Sequence, residues 1–228
     1  MSDTLLACLS FAATVGFYLL AKLAYRHKKV FWLSPMVAVP VALVAFVMLL
    51  HIPLPDYFRY TNLLVLMLGP ATIAFAVPIY QQRETIRRFP LTLMVGVATG
   101  VVMGLLSSWL LVQIFPMPDV AARSMLTRSV STPFAMQVTE QFGGVPDLTA
   151  MLVLMTGVVG MLICEPAFRL ARIRTSLAKG AALGAASHGA GTAKAHEIGR
   201  EEGVIASLTM IFTGIAMVIG APLFASLV

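Results

Sequence analysis

Six apolar runs, each about as long as a lipid bilayer is thick, leave this chain almost no way to fold in water. They are Thr4–Ala24, Val30–Leu50, Asn62–Tyr80, Leu91–Phe115, Leu148–Phe168 and Val204–Leu227. About 20 predominantly apolar residues cross the ~30 Å of hydrocarbon as a helix, which closes its backbone hydrogen bonds within itself. Composition agrees, with 59% of residues hydrophobic and only 11% charged, against roughly 25% charged in soluble domains. The expected class is an all-α, polytopic integral membrane protein. No polar stretch is long enough to fold alone, so the 228 residues read as a single membrane domain. The formal charge of +6 sits in short clusters between apolar runs. That placement orients a membrane protein and gives no reason to expect nucleic acid as a partner. Cys8 and Cys164 lie in different apolar runs without metal-ligand spacing and read as packing residues. Met1-Ser2-Asp3 leads directly into apolar sequence. Without a basic n-region or an Arg/Ser-rich leader, the expected location is a bacterial plasma membrane.

Punctuation inside the runs predicts where they bend. Pro40 removes a backbone donor within the second run, Gly69-Pro70 and Pro78 interrupt the third, and Pro53, Pro55 and Asp56 make His51–Tyr60 a turn-rich loop. In the fourth run Gly96, Gly100 and Gly104 recur every four residues, followed by Ser108. Such a ridge of small residues lets another backbone approach closely, and packing within one subunit is favoured over a seam between subunits.

Two stretches, Val120–Pro146 and Gly180–Gly203, are too polar to face lipid and too apolar for exposed loops. Basic clusters follow the first, third and fifth runs with 4, 3 and 4 Lys/Arg, while Asp3, Asp56, Asp119 and Asp147 fall on the other side. Placing all three clusters in the cytoplasm makes Val120–Pro146 leave and return on the outer face, and Gly180–Gly203 on the inner face. The expectation is about six transmembrane helices plus two re-entrant or broken helical hairpins, with both termini outside. The near-equal lengths of Met1–Phe115 and Pro116–Val228 also permit an inverted repeat.

The hairpins hold the candidate chemistry. In the outer one, Arg128-Ser129-Val130-Ser131-Thr132-Pro133 predicts a break at Thr132, because a residue before proline avoids helical geometry. A half-helix Phe134–Glu140 would then present free amides, its dipole and the hydroxyls of Ser129, Ser131 and Thr132 to an anion. Arg128 near the bilayer midplane costs roughly 2.5–3.5 kcal/mol on insertion scales, which argues for a partner or a pathway. The plainer readings are an interfacial anchor for Arg128 and ordinary capping for the hydroxyls. In the inner stretch, Ala186–Ala193 reads ASHGAGTA. Gly189 and Gly191 would supply the φ values of a sharp tip, and His188 and Thr192, four apart, would share a face if the helix continued, with Ser187 flanking them. His188 could bond a carboxylate or carry a proton, or could simply pack. Glu197 lies nearest the tip among the charged residues that follow, and Thr72, beside Gly69-Pro70, is a further candidate. No nucleophile–base pair, phosphate loop, metal-ligand array or dinucleotide fingerprint stands out, so neither an enzyme nor a cofactor is expected.

Three motifs carry a resemblance: LGPATIAFAVPIYQQ at Leu68–Gln82, RSVSTPFAMQVTEQFGGVPDLTA at Arg128–Ala150, and GAALGAASHGAGTAKAHE at Gly180–Glu197. They resemble the LrgB/CidB family of bacterial membrane proteins, and the C-terminal part of the plastid glycolate–glycerate transporter is similar. The family pattern K-S-V-T-T-P is matched with Arg128 for the lysine and Ser131 for the first threonine, while Gly143, Gly144 and Pro146 are kept. The resemblance implies either transport of small monocarboxylates of the glycolate, glycerate, pyruvate or lactate class, or a holin/antiholin-like role controlling murein hydrolases and lysis. It also implies a small membrane partner of the LrgA/CidA type. A homo-oligomer is expected, the glycine ridge being its obvious assembly face in the holin-like reading. Two broken elements converging on a small anion favour the transporter.

Overall fold

The computed structural model describes residues 3–225, all helix and connecting turn, with no strand among them. Met1 and Ser2, which open the sequence, and Leu227, expected to end the last span, lie outside the described residues. Among the described residues, five helices are long and apolar enough to cross a membrane. Leu91 and Ile219, 74% and 76% exposed, show the kind of surface such helices turn toward lipid. The chain is an all-α polytopic membrane protein. It divides into two compact units, Met1–Ala71 and Thr72–Val228. That boundary falls well before the midpoint at which an inverted repeat would divide the chain.

The first unit contains α1 (Asp3–His27), a 3-10 turn Phe31–Leu33, α2 (Pro35–Leu49) and α3 (Leu54–Leu66). α1 packs on both α2 and α3, fixed by an edge-on contact of Phe17 and Phe46 at 5.7 Å and by Thr14 and Tyr57 hydroxyls 3.1 Å apart. α2 has 15 residues, short of a full span. It closes with the Ile52 amide donating to the Val47 carbonyl (3.0 Å) and His51 at φ 51°, the left-handed closure of a Schellman turn. The loop expected over His51–Tyr60 is corrected here: α3 begins at Leu54, with Pro53 as its cap and Asp56 in its first turn. Proline is tolerated in a first turn, where its missing N–H has no intrahelical partner, and an acid there meets the positive end of the dipole.

The boundary between the units falls within α4 (Leu68–Ala74). After it, α5 (Ala76–Gln81) and α6 (Arg83–Arg88) lead into α7 (Pro90–Ile114). The breaks at Met67 and Phe75 each come three residues ahead of a proline, Pro70 and Pro78, which cannot donate back along the helix. Then come α8 (Asp119–Met125), α9 (Thr132–Thr139), α10 (Pro146–Leu170), α11 (Ser176–Ile198) and α12 (Arg200–Ala225). α12 is the core of the second unit. Ile205, Leu208, Ile211 and Met217 are all fully buried against α7, α9 and α11. Small residues permit the close approach: Gly184 lies on the Ala206 carbonyl and Gly214 on the Phe134 ring.

Both polar stretches reverse direction inside this unit. α11 contains one non-helical residue, His188 (φ 40°, ψ −117°). Leu183 and Ala195 pack in one cluster with Cys164 and Ala206, although twelve residues of straight helix would separate them by ~18 Å. The two arms of α11 therefore lie side by side, with His188 at the tip. The glycines work differently from expectation. Among the described glycines only Gly143 has positive φ; Gly191 serves because a side chain there would strike the Leu183 carbonyl and Ser187. In the outer stretch, residues 126–131 form the tip between α8 and α9. Its base is tied by Arg123 Nη1 donating to the Phe142 carbonyl (3.1 Å) and the Val145 amide to Ser124 Oγ (2.9 Å). Thr149 Oγ1 donates to the Ser124 carbonyl (3.0 Å) and meets Thr139 Oγ1 at 2.8 Å. Gly143 closes the turn at φ 75°, and a Cβ on Gly144 would stand 2.8 Å from the Ser124 amide.

Candidate functional site

The two tips meet between α7 and α10. On α7, Gly100 faces Ala185 of the inner hairpin and Gly104 faces Ser129 of the outer one, so the tips lie about one helical turn apart along its axis. On α10, Gly157 lies beside the Ser187 carbonyl and His188 Nδ1, and Gly160 takes the Ser187 side chain. Thr156, the neighbour of Gly157, binds the outer tip: Arg128 Nη1 donates to Thr156 Oγ1 (3.2 Å). Arg128 Nη2 donates to Ser107 Oγ on α7 (3.0 Å), whose hydroxyl in turn donates to the Gly104 carbonyl (3.1 Å). A cavity of about 800 Å³ runs along α7 from Leu91 and Ala178 at the basic end to Arg128, Ser129, Ser107 and Thr156 at the tips.

The electrostatics are unusual for a protein interior. Arg128 is held by two neutral hydroxyls, no carboxylate pairs with it among the described residues, and its Nε–H has no acceptor. His188, 3% exposed, lies where the Arg128 charge acts on it, and its Nε2 has no partner either. Thr127, Thr209 and Thr213 add further buried hydroxyls without partners. Each such group costs ~1–3 kcal/mol when left unmet; Thr209 lies beside Gly96 and Thr213 beside Gly100 on α7, and of this set Arg128 lines the cavity. It offers cationic and hydroxyl donors together, the combination that binds a small carboxylate bearing hydroxyl or keto oxygens.

Of the residues read from sequence, the structure brings Arg128, Ser129, Ser187 and His188 to this junction. Ser131 and Thr132 lie at the start of α9, and here the expected anion cradle is corrected. α9 begins at Thr132 with Pro133 in its first turn, and the Phe134 and Ala135 amides both donate to the Ser131 carbonyl (3.0 and 2.9 Å). Those donors are consumed locally. Thr192 does not share a face with His188, because the helix breaks between them; its hydroxyl contacts Met210 Sδ on α12 at 3.7 Å. Glu197 belongs to the base of the hairpin, 3.9 Å from Lys194, which bridges to Glu165 of α10 at 3.1 Å. Thr72 sits in α4 and does not line the cavity. Sequence reasoning missed Ser107, Thr156, Thr209 and Thr213. Ser108, which follows the glycine ridge, does not line the cavity, whereas Ser107 does.

The profile described as the LrgB-like family matches residues 14–227 of this chain. Among curated relatives, the uncharacterized protein YwbG of Bacillus subtilis (strain 168) is 35% identical over 213 residues, covering 93% of this chain and 95% of that protein. The uncharacterized protein YxaC of the same organism is 31% identical over 210 residues, covering 92% of this chain and 91% of that protein. No solved structure matches the chain.

Proposed function

This chain belongs to the LrgB-like family of membrane proteins, and from that premise we propose that it carries small monocarboxylates of the glycolate, glycerate, pyruvate or lactate class across a bacterial plasma membrane. The observation that supports this reading is Arg128: a half-buried guanidinium held by Ser107 and Thr156 hydroxyls, with no carboxylate paired to it among the described residues. A monocarboxylate satisfies it with one negative charge, and Ser129, on the same cavity wall, offers a bond to a further oxygen. The cavity along α7 supports a route from the basic end to the tips.

The holin-like reading gains less support. Gly96, Gly100 and Gly104, the ridge it would use between subunits, face Ala181, Ala185 and Ser129 within the same unit. Reconstituted protein should take up labelled glycolate or pyruvate, and Arg128→Gln should lower uptake by about tenfold or more, the worth of a lost charge-assisted hydrogen bond. Normal uptake by a folded Arg128→Gln protein, or release of dyes larger than any monocarboxylate, would count against the proposal.

A further inference from the structure

A second charged cavity lies at the basic end of the same unit, away from the tips. Of about 490 Å³, it is lined by Arg169 at the end of α10, Arg172 and Arg174 in the following turn, and Lys179 on the first arm of α11. Orientation in a membrane requires basic residues in such a loop, but does not require them to converge on one cavity. The other basic cluster of this unit shows the contrast. Arg83 lies over the Tyr80 ring at 4.8 Å, Arg87 is 3.8 Å from Glu84, and Arg88 lies over Phe89 at 5.2 Å. Among the described residues, the side chains of Arg169, Arg172, Arg174 and Lys179 have no such partner. The single acid on the cavity wall, Glu165, is engaged by Lys194 at 3.1 Å.

The backbone holds these charges in place. α10 ends in a Schellman turn, with the Ile173 amide donating to the Phe168 carbonyl (2.9 Å) and the Arg172 amide to the Arg169 carbonyl (3.3 Å). Arg172 occupies the left-handed position at φ 54°, where glycine is the usual residue. The rest of the wall is apolar: Phe168, Ile173 and Ile198. Beside it Leu170 projects, 89% exposed. Cations converging on a pocket with an apolar rim, at the end of a membrane helix, match an amphiphile whose phosphate sits between acyl chains and water.

We propose that this cavity binds the phosphate headgroup of an anionic phospholipid. The site is separate from the cavity along α7 and does not depend on the transport reading. Thermal unfolding of the purified full-length protein in detergent, with added lipid, tests it. Phosphatidylglycerol at saturating concentration should raise Tm by on the order of 5 °C, while phosphatidylcholine, inorganic phosphate and glycerol 3-phosphate should not. Arg172→Gln/Arg174→Gln should weaken the apparent phosphatidylglycerol affinity by roughly tenfold or more, and Arg83→Gln/Arg87→Gln should leave it unchanged. Should the first double variant fail to fold, Lys179→Gln, on the regular part of α11, reads the same loss at a single charge. Equal stabilisation by phosphatidylcholine, or equal loss in the Arg83/Arg87 control, would overturn the proposal. A Tm rise reproduced by inorganic phosphate would overturn the lipid as its source.

Discussion

His188 is the residue at which conformation and chemistry can be separated. At φ 40° and ψ −117° it holds a backbone shape that side-chain-bearing residues adopt at a cost of about 1–3 kcal/mol. His188→Gly removes the imidazole and that strain together, whereas His188→Ala removes the imidazole alone. The glycine variant should therefore unfold later than the alanine variant by about 1 kcal/mol or more in stability, read as Tm, while both lose uptake to the same extent. Equal Tm values would mean the tip relaxes on substitution. Arg128→Lys gives a second separation: it keeps the charge but cannot span Ser107 and Thr156 with one planar fork. Its uptake should fall between those of the native protein and Arg128→Gln. Arg128 and His188 are legible in the sequence because a charge and an imidazole stand out among apolar neighbours. Ser107, Thr156, Thr209 and Thr213 are not. A hydroxyl in a membrane helix can satisfy itself on its own backbone, so only the packed fold shows which hydroxyl is turned outward.

Each hairpin is an element defined by what it lacks. Gly184 has the Ala206 backbone where its side chain would be, and Gly144 has the Ser124 amide. Gly184→Ala should destabilise the protein by about 1–3 kcal/mol, the range for overpacking a tight contact, because the obstacle is backbone and cannot rotate away. Gly16, in the middle of α1, has open space where a methyl would stand, with nothing within 4 Å. Gly16→Ala should leave stability unchanged or raise it by about 0.5–1 kcal/mol. Paired melting curves in detergent decide both. The hairpins themselves are legible from polarity, but their hinges are not. Pro133 reads as a break, yet it falls inside the first turn of α9. Likewise Pro53 and Pro55 read as loop, yet they open α3. In each case the proline tells that a boundary is near without telling on which side of it the helix lies. Gly189 and Gly191 mark the inner tip, yet the positive φ expected of them belongs to His188.

For the molecule as a whole, the basic clusters predict an orientation that labelling can check. In a background lacking Cys8 and Cys164, cysteines at Gln82 and Thr175 should be silent to an impermeant maleimide added to intact cells. Cysteines at Asp56 and Asp119 should react. The reverse pattern would invert the assignment of inner and outer faces. Order of synthesis adds a consequence. α12 supplies the wall against which α9 and α11 pack, yet it is made after both of them. Until residues 200–225 have left the ribosome, the polar tips lack their shelter from lipid, and a nascent chain cannot hide them. A copy cut short after Gly199 would display that defect permanently, giving membrane proteases a feature by which to tell an unfinished chain from a finished one.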